Sequence, residues 1–204
     1  MKKGLFLALE GIDGAGKTTQ ALRLKSRLEE AGLPVVYVKE PTGGAWGRKI
    51  REIAEKGRAG VSPARELEYF LRDREEDVRE NIAPALARGG VVVADRYFYS
   101  TIAYQSVLGL DPAEIRRLNA AFPVPDLVIL LEIPLELSGV RITHHRSQTV
   151  NLGYEQSAFL KQVKAVFDSL EDPNIVRVNA DRDKAEVAED IWRRVEALVE
   201  RHRA

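Results

Sequence analysis

The chain has no cysteine among its 204 residues, so it can form neither a disulfide nor a thiolate metal site, and this fits a reducing compartment. It also has no excess of either charge. Its 31 basic side chains balance 31 acidic ones, which gives no sign of a bulk electrostatic partner such as duplex nucleic acid. Only six apolar-rich positions precede Glu10, too few for a signal peptide or a membrane span. We therefore expect a cytoplasmic protein that binds neither nucleic acid nor membrane.

Repeats, low-complexity tracts and Gly/Ser/Pro linkers are also missing, so we expect one domain over residues 1–204. Runs rich in Val, Ile and Leu, with little alternation, are typical of strands buried on both faces of a parallel sheet. They occupy residues 5–9, 35–38, 91–94, 127–131 and 175–178. Apolar positions at helical spacing lie between these runs. The pattern predicts an α/β fold: a single three-layer domain whose five-stranded parallel sheet has helices on both faces.

Two further segments have distinctive patterns. Ser62 followed by Pro63 is a strong helix start, and apolar spacing predicts one long helix from there to Leu86. Residues 142–153, in contrast, are polar and show no convincing period. A loop of that length inside a compact domain is usually functional or disordered.

A phosphate-binding loop is the strongest chemical signal. Residues 11–18 match G-x-x-x-x-G-K-[ST], with an apolar run before them and a helical pattern from Thr19 onward. Backbone N–H groups and the helix N-terminus would hold phosphate oxygens, Lys17 would reach the β- and γ-phosphates, and the Thr18 hydroxyl would bind Mg²⁺. The positions predicted to bind the nucleotide are Gly11, Ile12, Asp13, Gly14, Ala15, Gly16, Lys17, Thr18 and Thr19.

The nucleotide is predicted to be ATP. A GTPase needs a guanine-reading Asn-Lys-x-Asp after a later strand. The corresponding place here begins at Asn179 and has Ala180 where that motif has lysine. ATP with Mg²⁺ is therefore favoured over GTP.

The run at residues 91–94 ends in Asp95 and Arg96. A carboxylate at the end of a strand near the phosphate-binding loop can hold Mg²⁺ through water. The planar fork of an arginine beside it suits an anionic phosphate. A simple ion pair at the strand end is the alternative.

Residues 95–105 read DRYFYSTIAYQ. This stretch resembles the D-R-Y/F-x-x-S-x-x-A-Y-Q signature of the thymidylate (dTMP) kinase family, a signature that is specific among P-loop kinases. Residues 7–20 resemble the phosphate-binding loop of that family, and residues 40–44, followed by Ile50 and Arg51, resemble a further segment. The resemblance is strong over roughly residues 4–132 and weaker beyond.

The resemblance implies a homodimeric nucleoside monophosphate kinase that moves the γ-phosphoryl group of Mg·ATP to dTMP. In such an enzyme Asp13 would meet the 3′-hydroxyl of the acceptor sugar, and Arg51 and Arg96 would hold the acceptor phosphate. Phe70 would stack on thymine, and Arg74 would donate to its O4. The remaining pocket residues implied are Ser100, Thr101 and Gln105 around the base and Tyr104 beneath the deoxyribose.

Helical spacing alone also singles out Phe70 and Arg74 as candidate site residues. They are four residues apart on one predicted helix face, which Val78 and Ile82 continue as an apolar face. A guanidinium there is costly unless it pairs, reaches solvent or meets a ligand. The alternative is that Phe70 belongs to the core and Arg74 bonds a nearby carboxylate.

The chain departs from the family pattern in two places. Gly14 stands where one subgroup has an arginine in the phosphate-binding loop, and the other subgroup compensates with arginines in a lid. A frequent lid pattern ends in Asp-Arg-x-Glu, but residues 152–155 read LGYE. With a lid at about 142–153, Arg141 and Arg146 are the candidates for the transition-state charge, which can contribute about 10³-fold in rate. The predicted catalytic set is Asp13, Lys17, Arg96, Arg146 and Arg141.

Two other functions stay open on sequence grounds. One is a related P-loop kinase with another acceptor, such as dUMP or another small phosphate-bearing metabolite. The second is a catalytically weak, ATP-binding regulatory protein, which gains weight only from the missing Asp-Arg pair.

Overall fold

The computed structural model describes residues 4–145 and 154–203. Strands and helices alternate along these two ranges. The strands are β1 Leu5–Glu10, β2 Val35–Lys39, β3 Val91–Asp95, β4 Leu127–Glu132 and β5 Ile175–Asn179. The helices are α1 Lys17–Glu30, α2 Ala45–Lys56, α3 Pro63–Asp77, α4 Ala83–Ala87, α5 Phe98–Val107, α6 Pro112–Asn119, α7 Leu135–His145, α8 Tyr154–Asp168 and α9 Lys184–Arg203.

The five strands form one parallel sheet in the order β2-β3-β1-β4-β5. The central strand β1 places Leu9 opposite Asp95 of β3 on one side and opposite Ile129 of β4 on the other. With helices packed around this sheet, the predicted α/β fold with a five-stranded parallel sheet is confirmed. No helix within the described ranges combines the length and the apolarity that a membrane crossing requires.

Burial separates the inner strands from the edge strands. All of β1 and β3, and all of β4 except Glu132, is buried. In β2 only Val38 is buried, and in β5 only Val178. The prediction that all five runs are buried on both faces was therefore wrong for the two edge strands. An edge strand has a neighbour on one side only, and fewer helices cover it.

The predicted long helix begins as expected but is not uniform. Ser62 accepts a hydrogen bond from the Arg65 N–H at 3.2 Å, with Pro63 at the first helical position. After α3, residues Val78–Ile82 form a π-helical turn that leads into α4. Pro84 lies just beyond this turn. Because proline has no N–H and its ring crowds the carbonyl four residues earlier, it accounts for the widened turn.

The polar segment 142–153 lies only partly in the described ranges. Residues 142–145, which the prediction assigned to a loop, are the last turn of α7. Residues 146–153 lie outside the described residues. The lid, and the single-domain assignment of residues 1–204, stay predictions.

Candidate active site

A cleft of about 700 Å³ lies at the carboxyl edge of the sheet, within the size range of nucleotide-sized ligand sites. The loops after β1, β2, β3 and β5 and the side of α7 surround it. Its lining residues are Asp13, Gly14, Ala15, Gly16, Lys17, Thr18, Thr19, Gln20, Lys39, Glu40, Pro41, Arg51, Asp95, Arg96, Arg141, Ala180, Arg182, Lys184 and Val187. Seven of these carry positive charge, as a site for polyanionic ligands requires.

The phosphate-binding loop joins β1 to α1. Gly16 is the N-cap of α1, and the first turn has no acidic side chain, so the N–H groups and the helix dipole are available to an anion. The buried Lys17 ammonium donates to the carbonyls of Gly11 at 2.9 Å and Ile12 at 2.7 Å. The lysine thus bonds carbonyls of its own loop, which phosphate oxygens of a nucleotide can replace.

Helix α7 packs directly on this loop at Gly14. The glycine has φ of 78°, and a Cβ there would lie 2.9 Å from the carbonyl oxygen of Ser138. The structure therefore has no room for the arginine that other sequences place at this position. Ser138 donates to the Asp13 carbonyl at 2.6 Å, and Arg141 donates to the carbonyls of Gly14 at 3.4 Å and Ala180 at 3.2 Å.

Only one of the two predicted lid arginines lies within the described residues. Arg141 lines the cleft beside the phosphate-binding loop. Arg146 lies outside the described residues.

The two predicted magnesium ligands are in contact. The Thr18 hydroxyl donates to the Asp95 carboxylate, which also accepts from the Tyr37 hydroxyl at 3.2 Å. Lys39 lies 3.1 Å from the Thr18 oxygen and 3.5 Å from the carboxylate. Hydroxyl and carboxylate oxygens are the ligands that Mg²⁺ prefers, and Mg²⁺ is usually held by one or two carboxylates plus substrate phosphates. Within the described ranges, no group of three or more His, Cys, Asp or Glu side chains suits a metal ion.

Arg96 links the loop after β3 to the phosphate-binding loop. Its guanidinium pairs with the Asp13 carboxylate, donates to the Ser100 hydroxyl at 2.9 Å and lies 3.4 Å from the Gly11 carbonyl oxygen. Its φ of 75° is in the left-handed region, where a residue with a side chain is strained. Such strain is common at functional sites, because the surrounding contacts impose a side-chain direction.

Glu10, at the end of β1, binds the start of α5, directly after Arg96 in the chain. Although fully buried, it accepts from the N–H groups of Tyr97 at 2.8 Å and Ser100 at 3.1 Å and from the Ser100 hydroxyl at 2.5 Å. Burial raises the pKa of Glu10, and its bonds to Ser100 oppose that effect. This carboxylate satisfies the open N–H groups at the start of α5.

Arg74 is fully buried and held by protein groups. It binds both carboxylate oxygens of Glu40, donates to the Thr101 hydroxyl at 3.0 Å and contacts the Asn119 side-chain oxygen. These contacts use four of its five N–H bonds. The carboxylate partner that the alternative interpretation requires is therefore present. A further contact to thymine stays a prediction, as does stacking by the half-buried Phe70.

The other predicted base-pocket residues all lie on α5 and do not line the cleft. Thr101 contacts Arg74, and the Tyr104 ring lies under the Arg96 guanidinium at 5.2 Å. Gln105 is 1% exposed, and its side-chain oxygen has no hydrogen-bond partner within the described part of the chain. A buried acceptor without a partner is costly, and a contact between Gln105 and the base stays a prediction.

Comparison with known proteins agrees with this geometry. The family model described as Thymidylate kinase matches residues 9–191. A thymidylate kinase of Akkermansia muciniphila is 44% identical over 188 residues, which cover 92% of this chain and 89% of that protein. One from Xanthomonas oryzae is 44% identical over 196 residues (96% and 83%), and one from Desulfotalea psychrophila is 42% identical over 196 residues (96% and 96%).

The chain belongs to the thymidylate kinase family. The match covers both halves of the cleft, from the phosphate-binding loop to the loop after β5. The resemblance inferred from residues 95–105 is therefore confirmed.

Sequence reasoning missed several residues of this thymidylate kinase site. Three of them line the cleft: Lys39, Arg182 and Lys184. Two others bind the elements around it, since Glu10 bonds the start of α5 and Ser138 bonds the phosphate-binding loop. For two of these residues, the position in the sequence could have indicated a place at the site. Glu10 directly precedes the glycine-rich loop, and Lys39 ends the strand beside the one that carries Asp95. No sequence signal brings Ser138 to the phosphate-binding loop, because that contact spans 125 residues.

The pKa of Lys17 predicts proton uptake on nucleotide binding. Burial and the nearby Arg96 lower the pKa of Lys17 to about 7. Negative phosphates beside the ammonium favour its charged form and raise that pKa. At pH 8 the lysine is mainly neutral when free and charged when bound, so binding of ADP should take up close to one proton. Affinity should then fall as pH rises above about 7.

Titration calorimetry at pH 8 in two buffers of different protonation enthalpy measures this uptake. Lys17→Arg is the matched control, because arginine stays charged at every accessible pH and should give little uptake. A wild-type heat that does not depend on the buffer would contradict the prediction.

Proposed function

We propose that this protein transfers the γ-phosphoryl group of ATP to dTMP, giving ADP and dTDP. Membership of the thymidylate kinase family supports the reaction and both substrates. The observation that carries the proposal is one cleft in which Lys17 of the phosphate-binding loop lies together with Arg51 and Arg96. Phosphoryl transfer needs two phosphate sites that face each other, and these cations supply them.

The donor half uses the loop between β1 and α1. The amides of the glycine-rich loop and the Lys17 ammonium hold the ATP phosphates. Thr18 and Asp95 fit Mg²⁺ through their oxygen donors and mutual contact. Mg²⁺ held there would neutralise charge on the phosphates as the transition state forms.

The acceptor half uses Arg51 and Arg96 as a clamp for the phosphate of dTMP. Arg51 lines the cleft and donates to the Pro41 carbonyl at 2.8 Å through one Nη, so its remaining N–H groups can serve the acceptor phosphate. Asp13 is 47% exposed at its side chain, pairs with Arg96 and orients the 3′-hydroxyl of the sugar. Phe70, Arg74, Ser100, Thr101, Tyr104 and Gln105 surround the base and deoxyribose.

In the chemical step an oxygen of the acceptor phosphate attacks the γ-phosphorus in line. The bond from that phosphorus to the β,γ-bridging oxygen breaks, and ADP leaves with the electron pair. Because the acceptor phosphate is already anionic, no protein nucleophile or base is required. Lys17 and Arg141, with Arg146 as the second candidate, supply positive charge to the transition state. A lid at about residues 142–153 closes to exclude water that would otherwise hydrolyse ATP.

The homodimer and the cytoplasmic location belong to the same proposal, and family membership is their support. Size-exclusion chromatography with light scattering tests the first, with twice the chain mass of 22.8 kDa as the expected result.

Release of ADP in the presence of dTMP, dUMP, dCMP or dGMP tests the proposed reaction. We expect dTMP to give the highest kcat/KM and to raise the melting temperature most. Lys17→Met is the control for contaminating kinases. A higher kcat/KM with dUMP would assign a different acceptor. Binding of ATP without ADP release that depends on any of the four acceptors would favour the regulatory protein instead.

A further inference from the structure

The loop at residues 40–44, named here the acceptor loop, connects β2 to α2 at the rim of the cleft. Glu40 and Pro41 line the cleft, and the Pro41 carbonyl accepts a hydrogen bond from Arg51 at 2.8 Å. The position of this loop therefore affects where the Arg51 guanidinium lies. Any residue that holds the loop acts on the acceptor phosphate through Arg51.

Asp73 of α3 binds the middle of the acceptor loop. Its side chain is 1% exposed, and its two oxygens accept separately from Thr42: one from the backbone N–H at 2.7 Å and one from the hydroxyl at 2.6 Å. The Thr42 hydroxyl accepts in turn from the Gly44 N–H at 3.0 Å. Hydrogen bonds to an ionised carboxylate are stronger than neutral ones, and burial makes their loss more costly.

The opposite side of Thr42 is packed equally closely. A Cβ on Gly47 of α2 would lie 2.0 Å from the Thr42 carbonyl oxygen, so only glycine fits there. Thr42 is thus held between α2 and α3. The residue after Asp73 is Arg74, which binds Glu40 at the start of the same loop. Two consecutive residues of α3 therefore fix two points of the acceptor loop.

We propose that Asp73 is a positioning residue for the acceptor phosphate, which it serves by holding Thr42 and, through the Pro41 carbonyl, the Arg51 guanidinium. The inference rests on the proposed function, since it assigns Asp73 to the acceptor half of that site. Asp73 is not among the residues that line the cleft, so it acts by narrowing the range of positions that the Arg51 guanidinium samples. A misplacement of about 1 Å in such a clamp can cost a large factor in rate.

Steady-state kinetics of Asp73→Asn tests this role, because asparagine keeps the shape but turns one of the two acceptors into a donor. We expect the KM for dTMP to rise about tenfold, the KM for ATP to change less than about twofold, and kcat to fall less than the KM rises. Asp77→Asn is the matched control: it removes the charge of another buried aspartate one turn along the same helix, and its side chain contacts Asn81.

Substitution of Thr42 gives a second test that leaves Asp73 intact. Thr42→Ser keeps the hydroxyl and should preserve the KM for dTMP, while Thr42→Val removes it and should raise that KM. This pair separates the hydroxyl contact from a general loss of folding, which melting temperatures of all variants monitor.

The outcomes distinguish the two proposals. If the wild type phosphorylates dTMP while Asp73→Asn and Thr42→Val leave its KM unchanged, the role of Asp73 is overturned and the proposed function stands. An equal rise in the KM values for dTMP and ATP would also overturn it. A wild type that neither phosphorylates nor binds dTMP overturns the proposed function, and this inference with it.

Discussion

Replacement of Arg141 by methionine is expected to lower kcat about a thousandfold while the KM for ATP changes much less. The guanidinium lies 3.4 Å from the Gly14 carbonyl oxygen, directly beside the loop that holds the phosphates. The chain has no arginine within that loop and lacks the Asp-Arg pair of the lid pattern. In the proposed reaction, charge that develops on the transferring group is therefore stabilised by Lys17 together with one further cation, for which Arg141 and Arg146 are the candidates. Single-turnover kinetics with saturating ATP and dTMP measures the chemical step.

Arg182→Met is the matched control for this experiment. Arg182 lines the same cleft, but its guanidinium is held by Asp190 at 2.8 Å and by the Asn179 carbonyl at 3.1 Å. Its loss should change kcat only slightly. Arg146→Met is measured in parallel. If kcat is unchanged in Arg141→Met and falls about a thousandfold in Arg146→Met, Arg146 supplies the transition-state charge. An unchanged kcat in both variants would contradict the assignment of that charge to either arginine.

Arg96→Ala is expected to reduce kcat/KM for dTMP by at least about 30-fold, which corresponds to about 2 kcal/mol for the loss of a charge-assisted contact. The substitution removes one half of the acceptor clamp and also removes the ion pair that Arg96 makes with the Asp13 carboxylate beside the acceptor phosphate. Both effects oppose the binding of a negatively charged acceptor. The KM for ATP should be less affected, because Lys17 and the loop amides remain.

Steady-state kinetics with varied dTMP measures the effect of Arg96→Ala. Arg116→Ala is a suitable control, because Arg116 makes a bidentate ion pair with Asp172 and does not line the cleft. An unchanged kcat/KM for dTMP in Arg96→Ala would refute the assignment of Arg96 to the acceptor phosphate.

Features carried by neighbouring residues were predictable from the sequence. The glycine-rich loop, its flanking strand and helix, and the Ser62-Pro63 helix start each depend on local conformation. Asp95 was predicted to lie near the phosphate-binding loop, and it contacts Thr18 because strands β1 and β3 end at the same edge of a parallel sheet. The π-helical turn after α3 was not predicted, although Pro84 in the sequence indicated a break in the regular helix.

Contacts between distant elements could not be predicted in the same way. Asp73 meets Thr42 across 31 residues, and Ser138 meets Asp13 across 125. Neither Asp73 nor Ser138 belongs to a sequence motif, and only tertiary packing selects its partner. The full burial of Arg74 has the same origin, because its three protein partners come from three other elements of the chain.

The left-handed backbone at Arg96 lowers the stability of the folded protein. Within the described part of the chain, Arg96 is the non-glycine residue with positive φ, a conformation that costs about 1–2 kcal/mol. Every folded molecule carries this cost, whether or not a nucleotide is present, and the contacts of Arg96 with Asp13 and Ser100 offset part of it. Glycine would avoid the strain at this position, so the proposed role of Arg96 at the acceptor phosphate implies that the fold gives up some stability for the reaction.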